Sequence, residues 1–281
     1  MRIATWNVNS LNARLPRVEE WLAQRSPDVL LMQETKLFDE AAPDMAFRMA
    51  GYELAHHGEG RWNGVAIASR VGIQDVVTNF GDGPVRRSAG PSAGTAAAAE
   101  ALEAEASIAP GDEARMISAV CGGVRVVSIY APNGRALDTP FYRAKLAWFD
   151  RLNRWLREDR SPAEPLAIGG DYNVAPEDMD VYDMAAYQDS THVSAPERAA
   201  MAAMRDWGLV DAYRLHHPEP GKFSWWDYRA GNFHKGLGMR IDHLYVTRSV
   251  ADRCTAAEID RDARKGKLPS DHAPLYIDLA D

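Results

Sequence analysis

The sequence predicts an α/β protein, with helices layered around one mixed sheet or a pair of sheets. Three observations predict it. Short apolar, β-branched runs recur along most of the chain, amphipathic segments alternate with them, and a Gly-Gly pair marks an antiparallel hairpin. The strand-like runs cover residues 3–7, 29–34, 65–69, 116–120, 124–130, 166–169, 241–246 and 274–279. Gly122 and Gly123 separate two of them by two residues, which is the length and composition of a tight hairpin turn. Helical spacing covers 15–24, 142–157 and 196–207. The last of these is announced by Ser194 and Glu197, a capping-box pair, with Pro196 in the first turn.

At 281 residues, 46% hydrophobic and 26% charged, the composition is that of a folded globular chain and excludes fibrous or wholly disordered classes. A single domain over 1–281 is expected, interrupted at about 84–111 by an Ala/Gly-rich stretch. With few large apolar side chains to bury, that stretch is expected to be a surface insertion dispensable for chemistry. No apolar run reaches the roughly 18 residues of a membrane span, so no membrane role is expected. The opening MRIATWNVNS lacks the apolar core of a signal peptide, which argues for a cytoplasmic protein. Two cysteines without CxxC spacing exclude a disulfide scaffold or a Cys-based zinc site. A formal net charge of −8 counts against a passive nucleic-acid coat, though not against an enzyme with one local basic face.

The chemistry gathers at strand ends. Asn7, Glu34 and Tyr130 end apolar runs, and Asp171 and Asn173 follow another. Residues i and i+2 of an extended segment face the same way, so these two are expected to project together while Tyr172 points elsewhere. Asp242 and the Asp271–His272 pair stand at the beginnings of their strands. If those strands run antiparallel to the rest, all six positions share one rim. Pro269 makes the approach to Asp271 and His272 irregular, so that both can turn inward. A lone Asn or Asp at a strand end is ordinarily a turn former. Six strand ends carrying such groups are harder to read that way, and oxygen donors without cysteine suit Mg²⁺ or Mn²⁺ rather than zinc. The pairs His56–His57 and His216–His217 lack partners at ligand spacing and read as surface residues.

The segments WNVNSL, QETK, YAPNG, GDYNVAP, WWDYR, GMRID and SDHAP, in this order, resemble the signature blocks of the exonuclease III family of AP endonucleases, within the endonuclease/exonuclease/phosphatase superfamily. The resemblance runs from Met1 to about Leu279 and is broken only by the Ala-rich stretch. It implies a four-layer α/β sandwich, two mixed sheets flanked by helices. It implies, too, a monomeric, Mg²⁺-dependent phosphodiesterase (Mn²⁺ substituting) on double-stranded DNA with abasic sites or blocked 3′ ends, at work on the nucleoid. Endonuclease, 3′–5′ exonuclease and 3′-phosphatase or phosphodiesterase activities would belong to it. Glu34 matches the main metal ligand, with Asn7, Asp171, Asn173 and Asp271 in the metal shell. Asp171 matches the residue that orients or deprotonates water, Asn173 a stabiliser of the transition state, and Tyr130 and His272 phosphate contacts, His272 being oriented by Asp242. Trp225 matches the wall of a pocket for the base-free sugar, with Trp226 packing beneath.

Basic residues beside these blocks, Arg229, Lys235 and Arg240, then Arg261, Arg264, Lys265 and Lys267, are expected to meet phosphates, and Glu177, Asp178, Asp180 and Asp183 to lie away from DNA. Two alternatives share the catalytic core: a phosphoesterase of the same fold acting on an inositol phosphate or sphingomyelin, and a silent DNA-binding member. The WWDYR block argues against the first, and the full set of core residues against the second.

Overall fold

The structure is a computed structural model and describes residues 1–81 and 113–281. The Ala-rich stretch at about 84–111 lies outside the described residues. Two six-stranded sheets form the centre. The first has the order β11 (Cys254–Ile259), β12 (Leu275–Leu279), β1 (Arg2–Asn7), β2 (Val29–Gln33), β4 (Val65–Ser69), β3 (Glu53–His57). The second runs β5 (Gln74–Thr78), β6 (Met116–Cys121), β7 (Val124–Tyr130), β8 (Leu166–Asp171), β10 (Asp242–Thr247), β9 (Leu209–Asp211). Each is antiparallel except for one central parallel pair, β1 with β2 and β7 with β8.

Side-chain alternation assigns the layers. Ile3, Leu31, Val126 and Leu244 point between the sheets into a shared core. Their neighbours Ala4 and Leu30 face outward beneath α1 (Leu11–Arg25) and α2 (Asp44–Met49). On the other side, Val127, Ile168 and Tyr245 face α3 (Pro140–Asp159) and α4 (Ala195–Trp207). Helix, sheet, sheet, helix is the expected four-layer sandwich. At Gly169 the sheets come so close that a Cβ would stand 2.7 Å from Leu31 Cδ1 of the facing sheet. A buried polar bridge crosses the gap at Ser128: Gln33 Nε2 donates to Ser128 Oγ at 2.9 Å, and Ser128 Oγ donates to the Met32 carbonyl at 2.9 Å. It joins β2 to β7 directly beneath Glu34 and Tyr130.

Several elements differ from the sequence reading. The edge strands β3, β5, β9 and β11 were not expected. β5 is exposed along its whole length, so it carries no alternation to find. α1 begins at Leu11 rather than Leu15, because Ser10 N and Leu11 N donate to the carbonyls of Glu34 and Thr35 and tie the first turn to the loop after β2. The hairpin and the capping box are as expected: Cys121 pairs with Val124 around two positive-φ glycines, and Ser194 and Glu197 cap α4 reciprocally. The histidine pairs are not simple surface residues. His57 is 3% exposed, and His56 bonds Thr35 Oγ1 and Asp39. His217 stacks on Tyr213 with ring centroids 4.5 Å apart. No helix among the described residues is long and apolar enough to cross a membrane.

Candidate active site

The strand directions bring the polar strand ends to one rim. β10 runs antiparallel to β8 with Asp242 directly opposite Asp171, and β7 runs parallel to β8 with Tyr130 opposite Asp171. In the other sheet β12 runs antiparallel to β1, so the segment entering it arrives beside Asn7. Asp271 and His272 lie on that segment, outside regular strand. Trp226 N donates to the Asp271 carbonyl and Ala273 N to the Ser224 carbonyl, while Trp225 and Met239 exchange backbone hydrogen bonds. The WWDYR, GMRID and SDHAP blocks are thus stitched to one another through the main chain.

Asn7 is the hinge of the cluster. Its buried Nδ2 donates to Glu34 Oε1 at 2.8 Å and to Asp171 Oδ2 at 2.9 Å. Glu34, at φ 53°, has already left the strand, and its other oxygen meets Lys36 Nζ at 2.8 Å. Burial, then the nearby Glu34 charge, raise the Tyr130 phenol well above the ordinary value. His272 Nδ1 donates to Asp242 Oδ2 at 2.8 Å, and its Nε2 lies 3.8 Å from Asp171. Burial works against the imidazolium, but Asp242 and then Asp171 outweigh it and lift the pKa to about 10. Burial pushes the Asp171 carboxyl upward, with Asp242 and Glu34 adding to the rise and His272 opposing it. Asp242 is fixed from behind by Ser224 Oγ at 2.7 Å, and its second oxygen is buried without a partner among the described residues.

Asn173 stands beyond the strand at φ 52°, so strand pleating does not align it with Asp171. They are joined instead by the Asn173 N–H donating to Asp171 Oδ1 at 2.9 Å, which orients the carboxylate. The Asn173 amide donates to the Ala131 carbonyl and accepts from Asn133 Nδ2. Tyr172 does point elsewhere, donating its hydroxyl to Ile168 O within the core.

Oxygens of Glu34 and Asp171 and a ring nitrogen of His272 lie within 4.8 Å of one another. As a cation His272 is a donor, not a ligand, and the remaining oxygen donors fit a hard divalent ion. Asp271 is outside that group. Its oxygens accept from Asn9 Nδ2 at 3.0 Å and Trp225 Nε1 at 3.1 Å. Trp226 is 1% exposed and packs with Phe223 and Ala273, whereas Trp225 is only partly buried, beside Met239 and Ile241.

The basic residues divide. Arg229 is exposed and bonded to Asp227, and Lys235 is exposed. Arg240 requires correction. It is 1% exposed, with Nε 2.7 Å from Asp180 and Nη1 2.8 Å from Asp211, so it is a buried structural cation and cannot reach a phosphate. Arg264 is also turned inward, over Trp226, Tyr228 and Phe233. Of the acids, Glu177, Asp178 and Asp183 are exposed, while Asp180 is buried between Arg240 and Arg214. Asn9, Lys36, Asn133 and Ser224 were not singled out from sequence. The first three lie inside WNVNSL, QETK and YAPNG, where only one residue of each block drew attention.

The Endonuclease/Exonuclease/phosphatase family model matches residues 4–272. The chain is 30% identical to exodeoxyribonuclease III of Haemophilus influenzae, over 99% of this chain and 100% of that one. Among solved structures it resembles an AP endonuclease from Archaeoglobus fulgidus, with TM-score 0.86, 32% identity and 99% of both chains covered. It also resembles a 3′ phosphatase from Neisseria bound to a product DNA hairpin, with TM-score 0.86 and 36% identity over 100% of this chain and 99% of that one. With the rim geometry and these full-length matches agreeing, the chain belongs to the endonuclease/exonuclease/phosphatase family.

Proposed function

We propose that the chain is a divalent-metal-dependent DNA repair phosphodiesterase that incises duplex DNA at abasic sites and processes 3′ ends as a 3′–5′ exonuclease and 3′-phosphatase or phosphodiesterase. It is a hydrolase acting on DNA, working as a monomer in the cytoplasm on the nucleoid. The observation that carries this reading is Asp171. It is a buried carboxylate held between Asn7, the Asn173 N–H and the His272 cation, beside Glu34 on the same rim.

Glu34 and Asp171, with Asn7 and Asn173 around them, would hold Mg²⁺ (or Mn²⁺), which neutralises charge on the phosphate and the leaving oxygen when bound. Everything else falls to the chain. Asp171, its pKa raised, orients a water and accepts its proton near neutral pH. His272, kept cationic by Asp242, donates from Nε2 to a non-bridging phosphate oxygen. Tyr130 and the Asn173 amide supply further donors at the same phosphate. Asp271 holds Trp225 through its indole N–H and so sets the wall against which a base-free sugar packs. Arg229 and Lys235 meet the flanking backbone.

The test is nicking of a duplex carrying one abasic site by the purified chain, with Mg²⁺ and with EDTA, beside release of phosphate from a 3′-phosphorylated nick. Metal-dependent incision is expected. Binding without cleavage would establish a silent member. Hydrolysis of inositol phosphates or sphingomyelin but not DNA would establish the same-fold alternative.

A further inference from the structure

Behind the rim lies a charged group for which the proposed chemistry has no use. Lys145, on α3, is completely buried. Its ammonium has three hydrogens, and its three nearest partners are Glu197 Oε1 at 2.5 Å, the Asn173 carbonyl at 2.7 Å and the Asn133 carbonyl at 3.2 Å. Thr191 Oγ1 stands farther off at 3.4 Å. Glu197, recognised from the sequence as half of a helix cap, also accepts from Thr191 Oγ1 and from the backbone N–H of His192 and Ser194. His192 Nδ1 meets the same Asn173 carbonyl at 2.6 Å. Room for the lysine stem is made at Gly134, where φ is 86° and a Cβ would come 2.9 Å from Lys145 Cδ.

Stability alone gives no reason for such a pair. Burying two charges costs about as much as their attraction returns, and apolar residues of similar volume commonly serve a core as well or better. What an apolar pair cannot do is direct N–H donors at two chosen carbonyls. Those carbonyls belong to the loops after β7 and β8, the loops that carry Asn133 and Asn173. The Asn173 N–H is in turn what orients Asp171.

We propose that Lys145 and Glu197 are positioning residues: a buried clamp that sets the loops after β7 and β8 and, through Asn173, the orientation of the Asp171 carboxylate. Its catalytic consequence rests on the function proposed above, but its structural claim does not. The clamp makes the rim a preorganised surface, adding to the direct bonds between the two loops, Asn133 Nδ2 to Asn173 Oδ1 and Asn173 Nδ2 to the Ala131 carbonyl.

Two variants test it. Lys145→Met leaves Glu197 charged and unpaired in the core and is expected to lose stability as well as activity. Lys145→Met combined with Glu197→Gln removes both charges and keeps an acceptor for the cap, so its thermal midpoint should return toward that of the parent. In the double variant kcat should remain down by about tenfold to a hundredfold with KM for DNA little changed, since misplacement of a reacting group is felt in the chemical step. Hydrogen exchange supplies a readout independent of activity. The amides of Ala131, Arg135, Tyr172, Asn173 and Ala175 are all hydrogen-bonded in these loops. Peptides covering 131–135 and 172–175 should exchange about tenfold faster or more in the double variant, a loss of over 1 kcal/mol of local protection, while the sheets stay unchanged. A double variant with the parent's exchange in both loops would overturn the clamp, whatever its activity. Faster exchange with the parent's kcat would overturn its catalytic consequence. If the parent itself cleaves no DNA, the proposed function falls, and exchange still decides the clamp.

Discussion

The two sheets have the same plan: antiparallel, antiparallel, parallel, antiparallel, antiparallel. In each, the central parallel pair ends at the rim and delivers two side chains, Asn7 and Glu34 from the first sheet, Tyr130 and Asp171 from the second. In each, an antiparallel neighbour enters at that rim with another acid, Asp271 before β12 and Asp242 at the start of β10. The chemistry is nonetheless unequal. Glu34 is partly exposed, 16% by side chain, and paired with Lys36. Asp171 and Asp242 are buried, at 1% and 0% exposure, and share the charge of His272. Asp271 faces a neutral amide and an indole. Strand ends in one backbone plan thus carry a half-open carboxylate in one sheet and two buried carboxylates, sharing a histidine, in the other. Burial and partner choice make the difference, not strand geometry.

The largest expected effect tests both halves together. Glu34→Ala and Asp171→Asn should each lower incision by about 10³-fold or more with the circular dichroism spectrum unchanged, since electrostatic stabilisation is ordinarily the largest catalytic contribution. Near-normal turnover by either variant, or wild-type turnover in EDTA, would remove the distinction between the sheets.

Asp242→Asn addresses the buried carboxylates of the second sheet through His272, which enters from the first. Because the folded pKa of His272, about 10, lies above the ordinary value of about 6.5, the pair stabilises the fold fully below about pH 6.5 and loses that contribution as pH rises toward 10. In the parent, the His272 ring signals should therefore not titrate between about pH 6 and 9. Removing the Asp242 charge lets burial act more freely, so the variant should titrate near or below neutrality and lose activity with rising pH, about a hundredfold at neutral pH. A His272 that titrates identically in both proteins would show that Asp242 does not hold the cation.

Trp225→Ala probes the first sheet's Asp271, through its indole partner. Incision at an abasic site should fall about tenfold more than release of a 3′-phosphate, where no base-free sugar must be packed. Equal losses would make Trp225 a structural residue.

The smallest effect separates surface from core. Arg229→Ala should reduce the slope of log binding constant against log salt by about one and leave stability alone. Arg240→Met, which leaves buried Asp180 with Arg214 alone and takes the arginine from Asp211, should cost about 3 kcal/mol of stability and leave the salt slope unchanged. The reverse pattern would mean that Arg240 reaches the phosphate backbone.

Much of this was legible in the chain. Short apolar, β-branched runs at 3–7, 29–34 and 124–130 located the central strands, and the polar residues at their ends located the rim. The deduction that Asp242 and His272 share that rim needed only the strand directions, which β10 and β12 supplied. The Ser194–Glu197 cap was legible because both of its partners lie within one helical turn.

The sequence by itself determined where apolar faces form and where polar groups interrupt them, because both are local and periodic. Only the tertiary structure decided which charge meets which. Arg240 turns inward because Asp180, 60 positions away, waits there, and Lys145 is buried because Glu197, 52 positions away, can receive it. Trp225 and Trp226 separated, as adjacent residues of an extended segment must, yet only folding decided which of the two stayed near the surface. Charge on a side chain is a local fact. Whether that charge is solvated or paired in the core depends on residues the local pattern does not contain, and the desolvation cost of a buried ion is met only when such a partner arrives.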